Sequence, residues 1–403
     1  MVGFPILGLH KPMTMSIVKV SLFAQVLSLI DRNAFHRIVK QHDSDKSCKG
    51  YDSWTQFVSM LFMQFSGVNS VRDISNGLRS ATGNLSHFGV KKAPSKSSVS
   101  YQNKHRTFSV FEDLYFALLE RYEPSLKRRK IHARKLKRKI FIMDASIIPL
   151  CLSLFDWAKF RTKKGALKLH AVVDYDTGLP SYACMTDGKK HDVTVAKDTV
   201  FPKDSVLVVD RAYVDYEWLN DLDSSGVIFV TRLKSNADIR IVETFLTNEK
   251  QEHILSDQDI ILTGFYSSQK YPKNLRIVKV YDQRNDKTLV LLTNQLYWTA
   301  DTISQLYKAR WDVEVFFKHL KQQFKVKSFV GTSANAVRIQ MWCSMIAILL
   351  FNYLKNKATY KWHLSNLVCF LRMNLFVKID LWKWINMPIT IKPNPPPQNL
   401  LFP

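Results

Sequence analysis

Two short runs of branched and aromatic apolar residues each end in an aspartate, and no other feature of this 403-residue sequence restricts its fold as strongly. Ile140-Phe141-Ile142-Met143 leads into Asp144, and Val206-Leu207-Val208-Val209 leads into Asp210. Four apolar residues in succession are too few for a buried helix and fit a strand covered on both faces. A sheet of that kind needs helices on its faces, which makes an α/β core the expected architecture. Each run also delivers a carboxylate to the end of a buried strand, where an unpaired acid is driven towards its neutral form or needs a compensating cation. An aspartate that caps the following turn accounts for either position taken singly. Two such acids converging with a third call for cations.

The surrounding segments fit that core. After the first run, LKLHAVVD, a turn at Tyr175-Asp176-Thr177-Gly178, and PSYACMTDG read as a β-hairpin. After the second, Asp215 to Ser224 reads as a helix and GVIFVTRLK as a strand. Residues 237–294 alternate as short extended segments rich in β-branched residues, the mark of a mostly β insertion. Thr302 to Phe324 has helical periodicity, with further helices around Val337 to Leu354 and Leu364 to Phe376, and the end, KPNPPPQNLLFP, reads as a loose tail.

The N-terminal part is helical throughout. Leu22, Val26, Leu29 and Ile30 share a helical spacing, and Ser53, followed three residues on by Gln56, is a candidate N-cap for a helix through Phe65. Ser66 to Asn69 breaks that helix, and Ser70 with Asp73 caps the next. Two helices joined by a four-residue turn containing Gly outline a helix-turn-helix, an outline that any helical hairpin shares. The organisation expected is therefore a helical domain over 1–125, a basic linker over 126–139, an α/β domain over 140–354, and a helical C-terminal segment with a Pro-rich tail over 355–403.

Lysine and arginine number 58 against 34 acidic residues, a formal net charge of +24, so a polyanion is the expected partner and nucleic acid leads. Lys127 to Lys139 alone holds nine basic residues, and Tyr101, Lys104, His105 and Arg106 lie near a helix start that favours phosphate. Five scattered cysteines without paired spacing point to a reducing cytoplasm, and no export signal opens the chain. The apolar run Met341 to Leu354 is shorter than a bilayer requires, so we expect a buried helix and no membrane.

The third acid lies in YKARWDVEVFFKHLK. On one continuous helix Tyr307, Arg310, Glu314 and Lys321 fall in a stripe roughly 60° wide. An ion pair between Arg310 and Glu314 explains two of the four. A metal-binding acid flanked by phosphate-binding cations explains all four.

With these residues the sequence resembles the DDE transposases of bacterial insertion sequences, in particular the IS-four-type branch, whose signature is Tyr, Arg, Glu and Lys separated by two, three and six residues. Asp210-Arg211-Ala212-Tyr213 resembles the stretch around the second catalytic Asp, and Asp144 matches the first. The resemblance spans about 140–354, and the helical part from Leu22 to Tyr122 is similar to an N-terminal domain of many such enzymes. It implies a ribonuclease-H-like core with a β-rich insertion between the second Asp and the Glu. It also implies that Asp144, Asp210 and Glu314 hold two Mg²⁺ ions, for which Mn²⁺ can substitute. Tyr307, Arg310, Lys321, Lys168 and Arg211 would contact DNA.

The implied reaction is cut-and-paste transposition by a homodimer that pairs two inverted repeats. Hydrolytic nicking is followed by attack of the freed 3′-hydroxyl, directly or through a DNA hairpin, and by joining to target DNA. His191-Asp192 resembles a His-Asp pair frequent in the family and would support the active site, though a helix cap explains Asp192 equally well. Lys164, Lys168 and His170 lie on or beside the second strand, as DNA contacts or as a solvated edge. Tyr297 and Trp298 have the chemistry to stack a flipped base. Two rival readings share the composition: a structure-selective nuclease, against which the four-residue stripe argues, and a DNA-binding descendant without catalysis, against which the intact acids argue.

Overall fold

The run Ile140–Met143 begins an eleven-residue strand, β1 (Ile140–Leu150), around which the chain is built. The computed structural model describes residues 19–389, apart from residues 82, 127–135, 152, 156, 158, 162–163, 247–250, 284, 325 and 327. Most of the basic run and the Pro-rich tail therefore lie outside the described residues. The first half of β1 lies parallel to β5 (Val206–Val209), from Ile140↔Val206 to Met143↔Val209. Its whole length runs antiparallel to β3 (Lys164–Asp174). β3 carries β4 (Leu179–Asp187) and the short β2 (Lys159–Arg161) on its other edge. Beyond β5 lies β6 (Ile228–Arg232), again parallel.

Residues 237–294 are mostly strand, as expected, and they extend the same sheet. β10 (Lys287–Thr293) pairs antiparallel with β6, followed by β9 (Leu275–Asp282), β8 (Ile254–Leu262) and β7 (Ile239–Thr244) at the far edge.

The helices before the sheet are α1 (Leu22–Leu27), α2 (Arg32–Gln41), α3 (Ser53–Ser66), α4 (Val71–Ser80), α5 (Lys96–His105) and α6 (Ser109–Tyr122). Those within and after it are α7 (Asp192–Lys197), α8 (Tyr216–Ser224), α9 (Phe265–Lys270), α10 (Ala300–Ala309), α11 (Trp311–Gln323), α12 (Ala334–Lys357), α13 (Leu364–Met373) and α14 (Leu381–Asn386). Alternation along β1 divides the core. Ile140 and Ile142 join the apolar cluster that includes α10, α11 and α12, whereas Phe141 and Met143 face α7 and α8.

α12 is the one described helix long and apolar enough to cross a membrane, and most of its apolar length is buried against α3, α5, α6 and α13. The start of α1 meets the segment after α13 on this bundle, where the Leu22 and Phe23 amides donate to the carbonyls of Val377 and Leu375.

Three local expectations change. Asp52, not Ser53, caps α3, its carboxylate accepting from the Thr55 amide, because the aspartate one residue earlier is an equally good cap. Gln56 instead bonds the buried Asn103 and Arg106. The α3–α4 pair has its turn, closed by Gly67 at φ 77° and capped by Ser70, but α3 is buried on all sides, so only α4 offers an outer face, with Arg72 and Arg79. Finally, the helix over Thr302–Phe324 is two helices meeting at Arg310, whose amide turns back to Tyr307 in a tighter bond.

Candidate active site

Asp144 lies inside β1, not at its end, because β3 keeps the strand going to Leu150. It does stand at the point where β1 and β5 part, one residue beyond the last parallel pair, Met143↔Val209. Asp210 leaves β5 at the same level. Both carboxylates bond the next backbone amide, Asp144 that of Ala145 at 2.8 Å and Asp210 that of Arg211 at 2.7 Å. α10 packs on β5 and β6, and α11 packs on β1, so the junction at Arg310 is brought over this notch.

The signature residues then meet the two aspartates. Arg310 Nη2 donates to Glu314 Oε1 at 2.6 Å, and Nη1 lies 3.9 Å from Asp144 Oδ2. The Tyr307 hydroxyl donates to Asp210 Oδ1 at 3.5 Å. Lys321 lies two turns beyond Glu314 along α11, half-buried. Arg211 is exposed and lines an open cleft with Asp210, Arg232 and Lys234.

Burial pushes the Asp144 carboxyl up to about 6; the Ala145 amide and Arg310 act against the rise, and the charges of Asp210 and Glu314 add to it. For Asp210 burial acts upwards too, but the Arg211 amide and Arg232 outweigh it and hold the carboxyl below its usual range. Burial raises the Tyr307 hydroxyl, which keeps it a donor.

Three carboxylates are a hard oxygen donor set of the kind Mg²⁺ prefers. A half-buried Asp144 whose ion-pair partner Arg310 stands 3.9 Å away is a carboxylate that a divalent ion would relieve. The residues fit such a metal. Among the described residues, however, no three His, Cys, Asp or Glu side chains stand close enough together to hold a metal ion.

Arg232 went unrecognised in the sequence. Its Nη2 lies 2.6 Å from Asp210 Oδ1. Register across the sheet, not sequence, pairs them: Val208↔Val230, carried on two residues, sets Arg232 at the end of its apolar run beside Asp210. Tyr213 was also missed as a site residue; its buried hydroxyl is held protonated, by burial first and then by the charges of Asp192, Asp144 and Asp210.

Lys168 and Asp192 do not join the acids. The register sets His170 opposite Ala145 and Lys168 opposite Ile147, which directs both to the sheet face away from Asp144. There Lys168 Nζ pairs with Asp192 Oδ1 at 2.7 Å and donates to the Lys190 carbonyl, turned inward from any phosphate. His170 Nδ1 lies 3.5 Å from the same Asp192 oxygen, and its Nε2 is 3.0 Å from the Thr186 hydroxyl. Asp192 is the first helical residue of α7 and not its cap; His191, exposed, holds the cap position without a side-chain bond. The side chain of Lys164 lies outside the described residues. Arg106 is buried, paired with Asp45 and bonded to Gln56, so it is not free for a phosphate. Tyr297 is exposed, whereas Trp298 is half-buried against the core.

The transposase DDE domain profile matches residues 135–350, more than half of the chain and the whole of this site. The chain belongs to that family. It is a transposase, a metal-dependent DNA-cleaving enzyme of the insertion-sequence type. A domain of unknown function, DUF4372, matches the helical residues 19–91 of the transposase. The putative transposase y4zB of Sinorhizobium fredii is 29% identical over 260 residues, covering 64% of this chain and 71% of that protein. The probable transposase for insertion sequence element IS5377 of Geobacillus stearothermophilus is 25% identical over 294 residues, covering 71% of this chain and 75% of that one. The putative transposase for element IS4SA of Synechocystis sp. is 25% identical over 266 residues, covering 64% and 71%. All five cysteines of the transposase are free.

Proposed function

We propose that this transposase is a cut-and-paste enzyme of the IS-four-type branch, with a ribonuclease-H-like core and Asp144, Asp210 and Glu314 as its catalytic acids. The observation that carries the reading is that, at the α10–α11 junction, Tyr307 bonds Asp210 while Arg310, bonded to Glu314, faces Asp144, the two aspartates being supplied by neighbouring parallel strands. The strand order β4-β3-β1-β5-β6, antiparallel on one side of β1 and parallel on the other, supports the ribonuclease-H-like assignment.

The three acids would hold Mg²⁺, two ions by the chemistry of phosphoryl transfer, with Mn²⁺ as a substitute; such ions activate the attacking oxygen and stabilise the leaving one. Arg310 presents a guanidinium able to grip the phosphate beside the scissile bond. Tyr307, held protonated by burial, donates a hydrogen bond at the edge of Asp210. Lys321 and Arg211 supply charge along the DNA backbone. These groups position the strand in line, first for water and then for the freed 3′-hydroxyl, and the transfer needs no covalent enzyme intermediate. DNA with the element's inverted repeats is the substrate, a homodimer pairing two ends is the assembly, and the cytoplasm is the setting.

The deciding experiment is cleavage of DNA bearing the inverted repeats that flank the gene, with Mg²⁺ or EDTA, by wild type and Glu314→Gln. Metal-dependent cutting at the repeat ends that disappears in the variant, with binding retained, is the expected result. Cutting untouched by the substitution removes Glu314 from the site.

A further inference from the structure

The acids already have cationic partners within the chain. Arg232 lies 2.6 Å from Asp210, and Arg310 lies 2.6 Å from Glu314 while facing Asp144 at 3.9 Å. A carboxylate oxygen that accepts a charge-assisted bond from arginine has less to offer a metal. An arginine set between two acids also holds them apart, consistent with the lack of a closed three-acid cage among the described residues. The same two guanidinium groups are the ones best suited to a phosphodiester. Arg232 lines an open cleft with Asp210, Arg211 and Lys234. A guanidinium uses one set of bidentate bonds for either carboxylate or phosphate, so full engagement of one weakens its hold on the other.

We propose that Arg232 and Arg310 are built-in counter-ions of the catalytic acids, which an incoming DNA backbone draws off, so that DNA binding raises the site's affinity for divalent metal. The proposal rests on the reading of the three acids as the metal site. Coupling between two ligands is reciprocal, so metal tightens DNA binding by the same factor, and couplings of this kind are typically about 5- to 150-fold. A chain without DNA then stays poorly loaded and harmless, and the metal site completes itself where the substrate lies.

The test is a titration of the full chain with Mn²⁺, reading free Mn²⁺ by electron paramagnetic resonance, with and without a saturating short duplex at low salt and with duplex alone as the blank. Wild type is expected to bind Mn²⁺ about tenfold tighter with DNA. Arg232→Gln and Arg310→Gln are each expected to bind Mn²⁺ tighter than wild type without DNA, and to gain less from it. If Asp210→Asn loses metal but DNA and the arginine substitutions change nothing, the counter-ion role is overturned and the metal site stands. Weaker Mn²⁺ binding by the arginine variants also overturns it, since the arginines would then orient the acids. Unchanged binding by Asp210→Asn removes the metal site and the proposal with it.

Discussion

Arg276 is a charge that the fold cannot easily lose. It is buried, makes paired bonds of 2.7 and 2.6 Å to Asp257, and donates to the carbonyls of Leu296 and Trp298 in the loop that leads into α10. Removing one partner of a buried pair leaves the other charge unpaired and costs about 3–5 kcal/mol. Asp257→Ala should therefore lower the unfolding free energy read from chemical denaturation by about that amount, and an unchanged value would show the pair to be effectively solvated. His170 works through pH. Burial drives its pKa down to about 4, outweighing the pull of Asp192, so the folded chain keeps it neutral where the unfolded chain, near 6.5, takes a proton. Its contribution is present above pH 6.5 and is lost as pH falls towards 4, on the order of a few kcal/mol. His170→Gln should flatten the fall in thermal stability over that window; an equally steep fall would assign it to other groups. Such partnerships were not legible in the sequence, because His170–Asp192 and Arg232–Asp210 are set by register across the sheet. The strands that carry Asp144 and Asp210 were legible, written in the apolar runs Ile140–Met143 and Val206–Val209.

At the scale of elements, the same contrast explains what the periodicity of 302–324 concealed. No Gly or Pro marks Arg310, and the spacing fits one helix. The break comes from tertiary demand: α10 covers β5 and β6, α11 covers β1, and the chain must turn between them. The turn sets Tyr307 on one helix and Glu314 on the other while Arg310 stays at the hinge within reach of both aspartates' side of the sheet. Tyr307→Phe keeps the ring in the core and deletes only the 3.5 Å bond to Asp210. A neutral hydrogen bond is worth about 0.5–1.5 kcal/mol, so single-turnover cleavage should slow about 2- to 10-fold with thermal stability little changed. A loss as complete as that of Glu314→Gln would instead mark the hydroxyl as indispensable to the chemistry.

At the scale of the whole molecule, the long apolar run of α12 was legible as a buried helix, but what buries it was not, since it packs on α3, α5 and α6, more than 200 residues earlier. α1 is tied to the start of α14 through Gln25, which donates to the Ile379 carbonyl at 2.7 Å and accepts from the Leu381 amide at 2.8 Å. Gln25→Ala should lower stability by about 1–3 kcal/mol, read as an earlier melting transition. The net charge of +24 acts at longer range. Ion pairs such as Arg138 with Asp204 and Lys139 with Glu123 are already netted out of that figure, so it measures the basic excess that remains after every acid is counted. Binding carried by about 6–10 phosphate contacts loses roughly 10³- to 10⁵-fold in affinity between 50 and 200 mM salt. The transposase should follow that slope on any duplex, because contacts to the backbone do not read sequence. Substituting exposed Arg211 should lower the slope by about one phosphate, equally for repeat and non-repeat DNA. A loss confined to the inverted repeat would make Arg211 a reader of base edges and move recognition of the element's ends into the active-site cleft itself.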